Sequence, residues 1–196
     1  MRAIAQFAAQ IFSGVFAGFL ISILVLELSM RDVSAAVYTQ VRQIELEWLD
    51  VLASATLLPA LVAIALIIAI RIRDRGPVRW LPIIAFALLA GVLILTVIVN
   101  LPINADQRDW LVTMPPDDWA TVRDRWQLAH AVRTVAATLA FAALSAAQDT
   151  RRFCTAHSAR ASADTSTPST LSMTTRPTQI ERITRSVKAS TSPQGK

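Results

Sequence analysis

One cysteine, Cys154, is all that this chain of 196 residues contains, so no disulfide can form within it and no cysteine-rich metal cluster is available. Histidine is nearly as scarce, at His130 and His157 only. Catalytic zinc wants about three protein ligands, and two histidines so far apart do not supply them; no metal site is expected. A Gly-rich phosphate loop and a Gly-x-Ser-x-Gly elbow are both missing. Lysine occurs only at Lys188 and Lys196. Charge overall is thin, at 17% of residues, against roughly 25% in a soluble domain. What is present instead is apolar: 54% of the chain is hydrophobic and the mean hydropathy is +0.46. A membrane protein is the class that fits.

The charge is also unevenly placed. From Asp149 onward there are eight basic and three acidic residues, an excess equal to the whole net charge of +5. The body is balanced, so the high pI describes the tail, and a nucleic-acid partner is not expected. Residues 149–196 are rich in Ser and Thr, carry Pro168, Pro177 and Pro193, and show no sustained apolar period. They read as a disordered basic tail.

Residues 1–148 read as an all-α, four-helix transmembrane bundle, with spans at about 4–28, 49–70, 80–100 and 126–148. No charge interrupts the chain between Arg2 and Glu27. That run exceeds the roughly 7–15 apolar residues of a signal peptide, so the first helix is expected to be retained. Its Gly14-Val-Phe-Ala-Gly18 motif lets another helix approach closely, here within one bundle. The second helix begins near Val33, outside the bilayer, and Pro59 kinks it. Gly76-Pro77 breaks the chain after it. Pro82 falls in the first turn of the third helix, where proline is tolerated, and Pro102 stops that helix. Four arginines in the short 71–79 connection, with Arg2, Arg151 and Arg152, put both termini on the cytoplasmic side of the cell membrane. Membrane lipid is the expected surrounding, and no feature sets an oligomeric state.

The most informative stretch is Asp117–Arg133. Asp117 or Asp118 can cap its first turn. At helical pitch Trp119, Arg123, Trp126, His130 and Arg133 fall within an arc of about 80°. The uncharged run that follows, residues 134–148, is about 22 Å long, too short for a hydrocarbon core of about 30 Å. His130 and Arg133 must therefore lie within the bilayer, where ionisable groups are costly and mark functional sites. Glu27, Glu45, Asn100 and Asn104 fall at the same end of the bundle. Glu27 needs a partner there, and Arg133 or Arg123 is the expected one.

This set suits proton abstraction from an apolar carbonyl compound. His130 is the expected base, Arg123 or Arg133 the holder of the enolate oxygen, and Trp119 and Trp126 the flanks of a flat ring. The competing reading is structural: the arginines pair with Glu27 and Glu45, the tryptophans belong to the interfacial belt, and His130 is a packing residue.

Asn100-Leu-Pro-Ile-Asn104, Trp119, Arg123-Asp-Arg-Trp126 and His130-Ala-Val-Arg133, in that order, resemble the anthrone oxygenase-like family of small four-helix membrane proteins. The likeness covers about Phe7 to Gln148 and leaves out the tail. It implies an oxygenase that turns a polycyclic anthrone into a quinone with no metal or flavin, acting on a lipophilic aromatic small molecule. It carries over Asn100, Asn104, Arg123, Trp126, His130 and Arg133; Trp119 and Glu27 join them as substrate-side residues. The alternative function is a non-catalytic membrane protein that binds a lipophilic ligand or a partner protein.

Overall fold

The computed structural model describes residues 2–73 and 80–165. The expected Gly76-Pro77 turn and most of the expected tail lie outside the described residues. Helix α1 is Arg2–Ser29, α2 is Ala35–Arg73 and α3 is Trp80–Leu95. A π turn at Thr96–Asn100 joins α3 to α4, Leu101–Arg108, and α5 is Trp119–Thr165. Four helical stretches are long and apolar enough to cross a membrane: Arg2–Ser29, Ala35–Arg73, Trp80–Arg108 and Trp119–Gln148. The protein is an all-α four-helix bundle.

Each helix buries one stripe and turns the rest outward. Along α1 the buried residues are Ala5, Ala9, Ser13, Phe16, Ala17, Leu20, Ile23 and Glu27, which recur every three or four positions. Ile4, Phe7, Ile11 and Val15 lie exposed on its other side, as suits a helix bathed in lipid. The packed apolar core is rich in alanine: Ala60, Ala63, Ala85, Ala137 and Ala140 surround Leu20, Ile64 and Leu89. Small side chains bring helix backbones close where lipid removes the usual hydrophobic drive. Gly14 belongs to this packing, since a Cβ added there would meet Phe141 of α5 at 3.0 Å; a Cβ at Gly18 would meet nothing within 4 Å. At this end of the bundle Gln10 donates to Ser145 Oγ at 2.7 Å.

Two boundaries differ from the sequence expectation. Pro102 does not stop the third helix, which continues to Arg108. Proline has no N–H for the carbonyl four residues back and crowds it. The chain absorbs this by widening one turn, and the Leu101 N–H reaches the Thr96 carbonyl five residues back. The last helix, in turn, runs past Gln148 to Thr165. Residues 149–165 hold no glycine or proline, and the first breaker is Pro168.

Opposite the alanine-rich end lies a polar one. Met30, Tyr38 and Trp110 form a small cluster there, with Trp119 packed against it. Gln43 Nε2 donates to the Trp110 carbonyl at 2.7 Å, and Trp110 Nε1 to Asp106 at 3.1 Å. These bonds fasten the 109–118 connection over the bundle and set the start of α5, whose first free N–H groups reach the Asp118 carbonyl.

Candidate functional site

The polar end is organised around Arg42, a residue the sequence reading passed over. Its side chain is 2% exposed. Nε donates to Gln107 Oε1 at 3.1 Å, and NH2 to Gln107 Oε1 at 3.0 Å and Asn104 Oδ1 at 3.2 Å. NH1 lies 2.6 Å from Glu45 Oε2 and 3.0 Å from Glu27 Oε1. Four of these are hydrogen bonds and the contact with Glu27 Oε1 is an ion pair, so all three guanidinium nitrogens are engaged. A charge this deep is tolerable only when its partners replace water so fully. The Arg42 Cζ also lies 4.2 Å from the centre of a Trp126 ring. The expected partners of Glu27, Arg133 and Arg123, are thus corrected: Glu27 pairs with Arg42 and accepts a second bond from Gln127 Nε2 at 3.1 Å. One signal was present in the sequence, because Arg42 and Glu45 stand three residues apart on a helix and so share a face.

The α5 residues form the second layer. Trp126 Nε1 donates to Asn104 Oδ1 at 2.7 Å, and Asn104 Nδ2 to Asp50 Oδ1 at 3.0 Å. One turn along, the His130 ring stacks on Trp126. His130 Nε2 is 2.9 Å from the Leu20 carbonyl, which can only accept, so the Nε2 carries the hydrogen. Its Nδ1 then presents a lone pair, which Arg133 NH2 meets at 2.8 Å. The neutral imidazole is the form that satisfies both contacts, and both nitrogens are engaged.

Arg133 differs from Arg42 in having no carboxylate in direct contact among the described residues; Asp50 acts on it only through space. It is 8% exposed. NH1 donates to Thr96 Oγ1 at 3.1 Å and NH2 to His130, while Nε has no partner. Among the described residues no carboxylate stands within ion-pair distance of it. Thr96 opens the π turn, so the local distortion carries one of Arg133's two acceptors, and such turns recur at functional sites.

These groups border one cavity of about 150 Å³. Arg42, Glu45, Asp50, Asn104, Trp126, His130 and Arg133 line its polar end; Phe16, Phe19, Ile23, Leu57 and Leu93 are among the apolar walls. Leu58 of α2, Val97 of the π turn and Leu101 of α4 also line it, and these three are 49%, 53% and 42% exposed. The cavity therefore reaches the exposed apolar surface between α2 and the π turn.

The remaining expected site residues lie elsewhere. Trp119 packs on Tyr38, ring centres 5.6 Å apart, with Arg123 Cζ 4.9 Å from its own ring. Arg123 NH1 donates to the Arg31 carbonyl at 3.0 Å, and NH2 pairs with Asp124 at 3.0 Å. Trp119 and Arg123 are not cavity-lining residues, so the two tryptophans do not flank a common slot. Their shared stripe is real, but Trp119–Arg133 is 15 residues long, about four turns, and reaches two different layers. Glu27 stands behind Arg42, away from the cavity. Asn100 is fully buried, with both amide atoms unpartnered, and also lies outside the cavity lining. Among the described residues no three His, Cys, Asp or Glu side chains gather as a metal site.

The anthrone oxygenase family model matches residues 48–143. The match begins in α2 and leaves α1 outside it. No curated protein and no solved structure matches the chain. The chain belongs to an anthrone oxygenase-like family.

Proposed function

We propose that this anthrone oxygenase-like protein is a multi-pass enzyme of the cell membrane, with both termini cytoplasmic, that oxidises a polycyclic anthrone to a quinone with molecular oxygen and no cofactor. The observation that carries the reading is Arg133: a buried guanidinium with no carboxylate in contact with it, at the edge of a largely apolar cavity. Such a group favours an oxyanion that forms there, because water is excluded and the donor is already in place. An anthrone supplies one when a methylene proton leaves and the electron pair spreads onto the carbonyl oxygen. The electron-rich carbon then reacts with oxygen. The peroxide anion that results takes up the proton, and the hydroperoxide so formed loses water, so that anthrone plus O₂ becomes quinone plus H₂O.

The roles follow the contacts. Arg133 holds the enolate oxygen. His130 gives its Nδ1 lone pair to Arg133, so it positions the guanidinium rather than acting as the base that the sequence suggested. Trp126 and Asn104 form the polar wall beside them. The lateral opening suits a lipophilic aromatic substrate drawn from the surrounding lipid. Asn100, Trp119, Arg123 and Glu27 enter as supports of this end of the bundle.

A cavity of this volume, when closed, takes a single benzene ring. That favours a second reading, a non-catalytic carrier of a smaller lipophilic ligand, unless a tricycle extends through the opening. Turnover separates the two. Purified protein is assayed for oxygen uptake against a panel of anthrones, with product identified as the quinone. Binding without oxygen uptake on any of them would leave the carrier.

A further inference from the structure

If His130 positions Arg133, another group must take the substrate proton. Three proton acceptors line the cavity: His130, Asp50 and Glu45. The His130 lone pair is occupied by Arg133. Both Asp50 oxygens already accept, Oδ1 from Asn104 at 3.0 Å and Oδ2 from Arg108 at 2.7 Å. Glu45 is different. Its Oε2 is held by Arg42 NH1 at 2.6 Å, and its Oε1 has no hydrogen-bond partner. The residue is only 8% exposed, so no bulk water stands ready to satisfy that oxygen. A buried acceptor left open beside a cavity is costly unless something else donates to it.

We infer that Glu45 is the proton acceptor of this site, working opposite Arg133 on a weakly acidic aromatic ligand. This rests on the oxygenase reading for the identity of the ligand. The C–H bond of the anthrone methylene breaks, and the proton passes to Glu45 Oε1. The electron pair stays on the ligand and is shared with its oxygen at Arg133. Negative charge thus moves from one fixed partner, Arg42, toward another, Arg133, and the cavity's net charge does not change. After oxygen has added, Glu45 returns its proton to the peroxide and is restored.

The test separates this step from the oxidation. With oxygen excluded, anthrone is added to the purified protein; intrinsic tryptophan fluorescence reports binding and visible absorbance reports the enolate. Wild type should bind and ionise the ligand. Glu45→Gln should bind it within a few-fold of wild type and leave it neutral, since the amide oxygen still accepts from Arg42 but the group no longer takes a proton. In air, its turnover should fall by about 10²–10⁴, as for loss of a base. Should Glu45→Gln fail to fold, Glu45→Asp keeps the charge for Arg42 and draws the free oxygen back, and at least a tenfold loss of ionisation is expected. Ionisation equal to wild type in either folded variant overturns the assignment, as does wild type that binds anthrone without ionising it. Ionisation in wild type without oxygen uptake keeps Glu45 and sinks the oxygenase. Absence of binding sinks both.

Discussion

Trp126 and His130 stack with ring centres 4.8 Å apart and planes 8° from parallel. One side chain thereby sets the plane of the imidazole, and through its Nδ1 the direction of Arg133. The same indole reaches Asn104 through its N–H and faces Arg42. Trp126→Phe keeps a flat ring over His130 and loses the bond to Asn104, which should cost about 1 kcal/mol. Trp126→Ala removes the platform and leaves a void, at about 3–5 kcal/mol. Unfolding midpoints of the detergent-solubilised protein give both values. Equal losses for the two would show that the ring plane is set by something else.

Arg42 and Arg133 are both buried, yet they should respond differently to the same change. Arg42→Met strands Glu27 and Glu45 and should cost about 3–5 kcal/mol. Adding Glu27→Gln should recover part of it. Arg133→Met strands no carboxylate, only Thr96 Oγ1 and His130 Nδ1, so its cost should be nearer 1–3 kcal/mol. Its activity, however, should fall about 10²–10³, as when an oxyanion donor is removed. Glu27→Gln should not rescue it. Rescue of Arg133→Met by Glu27→Gln would return the pairing to the one first expected from the sequence.

The opening between α2 and the π turn makes a prediction about access. Leu58 and Val97 are half-exposed on the apolar surface and also line the cavity. Leu58→Trp or Val97→Trp should narrow the mouth without disturbing the core, with stability within about 0.5 kcal/mol of wild type. Uptake of a lipophilic substrate should slow and KM should rise, with kcat little changed. Unaltered kinetics in both variants would move the route elsewhere.

Orientation in the membrane is tested from the 109–118 connection. Met114 is 76% exposed there. In a Cys154→Ser background, Met114→Cys should react with an impermeant maleimide added outside intact cells. Reaction only after the cells are opened would invert the topology and put the polar end on the cytoplasmic side.

Much of this protein was legible in the chain itself. Four long apolar runs need no partner to declare themselves, because a bilayer demands about 20 such residues per span and every backbone group paired within it. The polar end was legible for the same reason: Glu27, Asn104, His130 and Arg133 are expensive in lipid wherever they occur, so their presence marks a place of use. What the sequence could not supply was who meets whom. Periodicity groups residues on one helix and is silent about the facing one, so Trp119 and Arg123 were grouped with Trp126 although they serve another layer. It offered Arg133 to Glu27 because both were charged and at one depth; the packing of α1 against α2 gave Glu27 to Arg42 instead. Pro102 reads as a stop in a linear chain, and only the three-dimensional chain shows the π turn that lets the helix pass it and brings Thr96 to Arg133. The free oxygen of Glu45 and the occupied lone pair of His130 belong wholly to the tertiary structure, since a hydrogen bond is a matter of distance and direction that no spacing along the sequence contains.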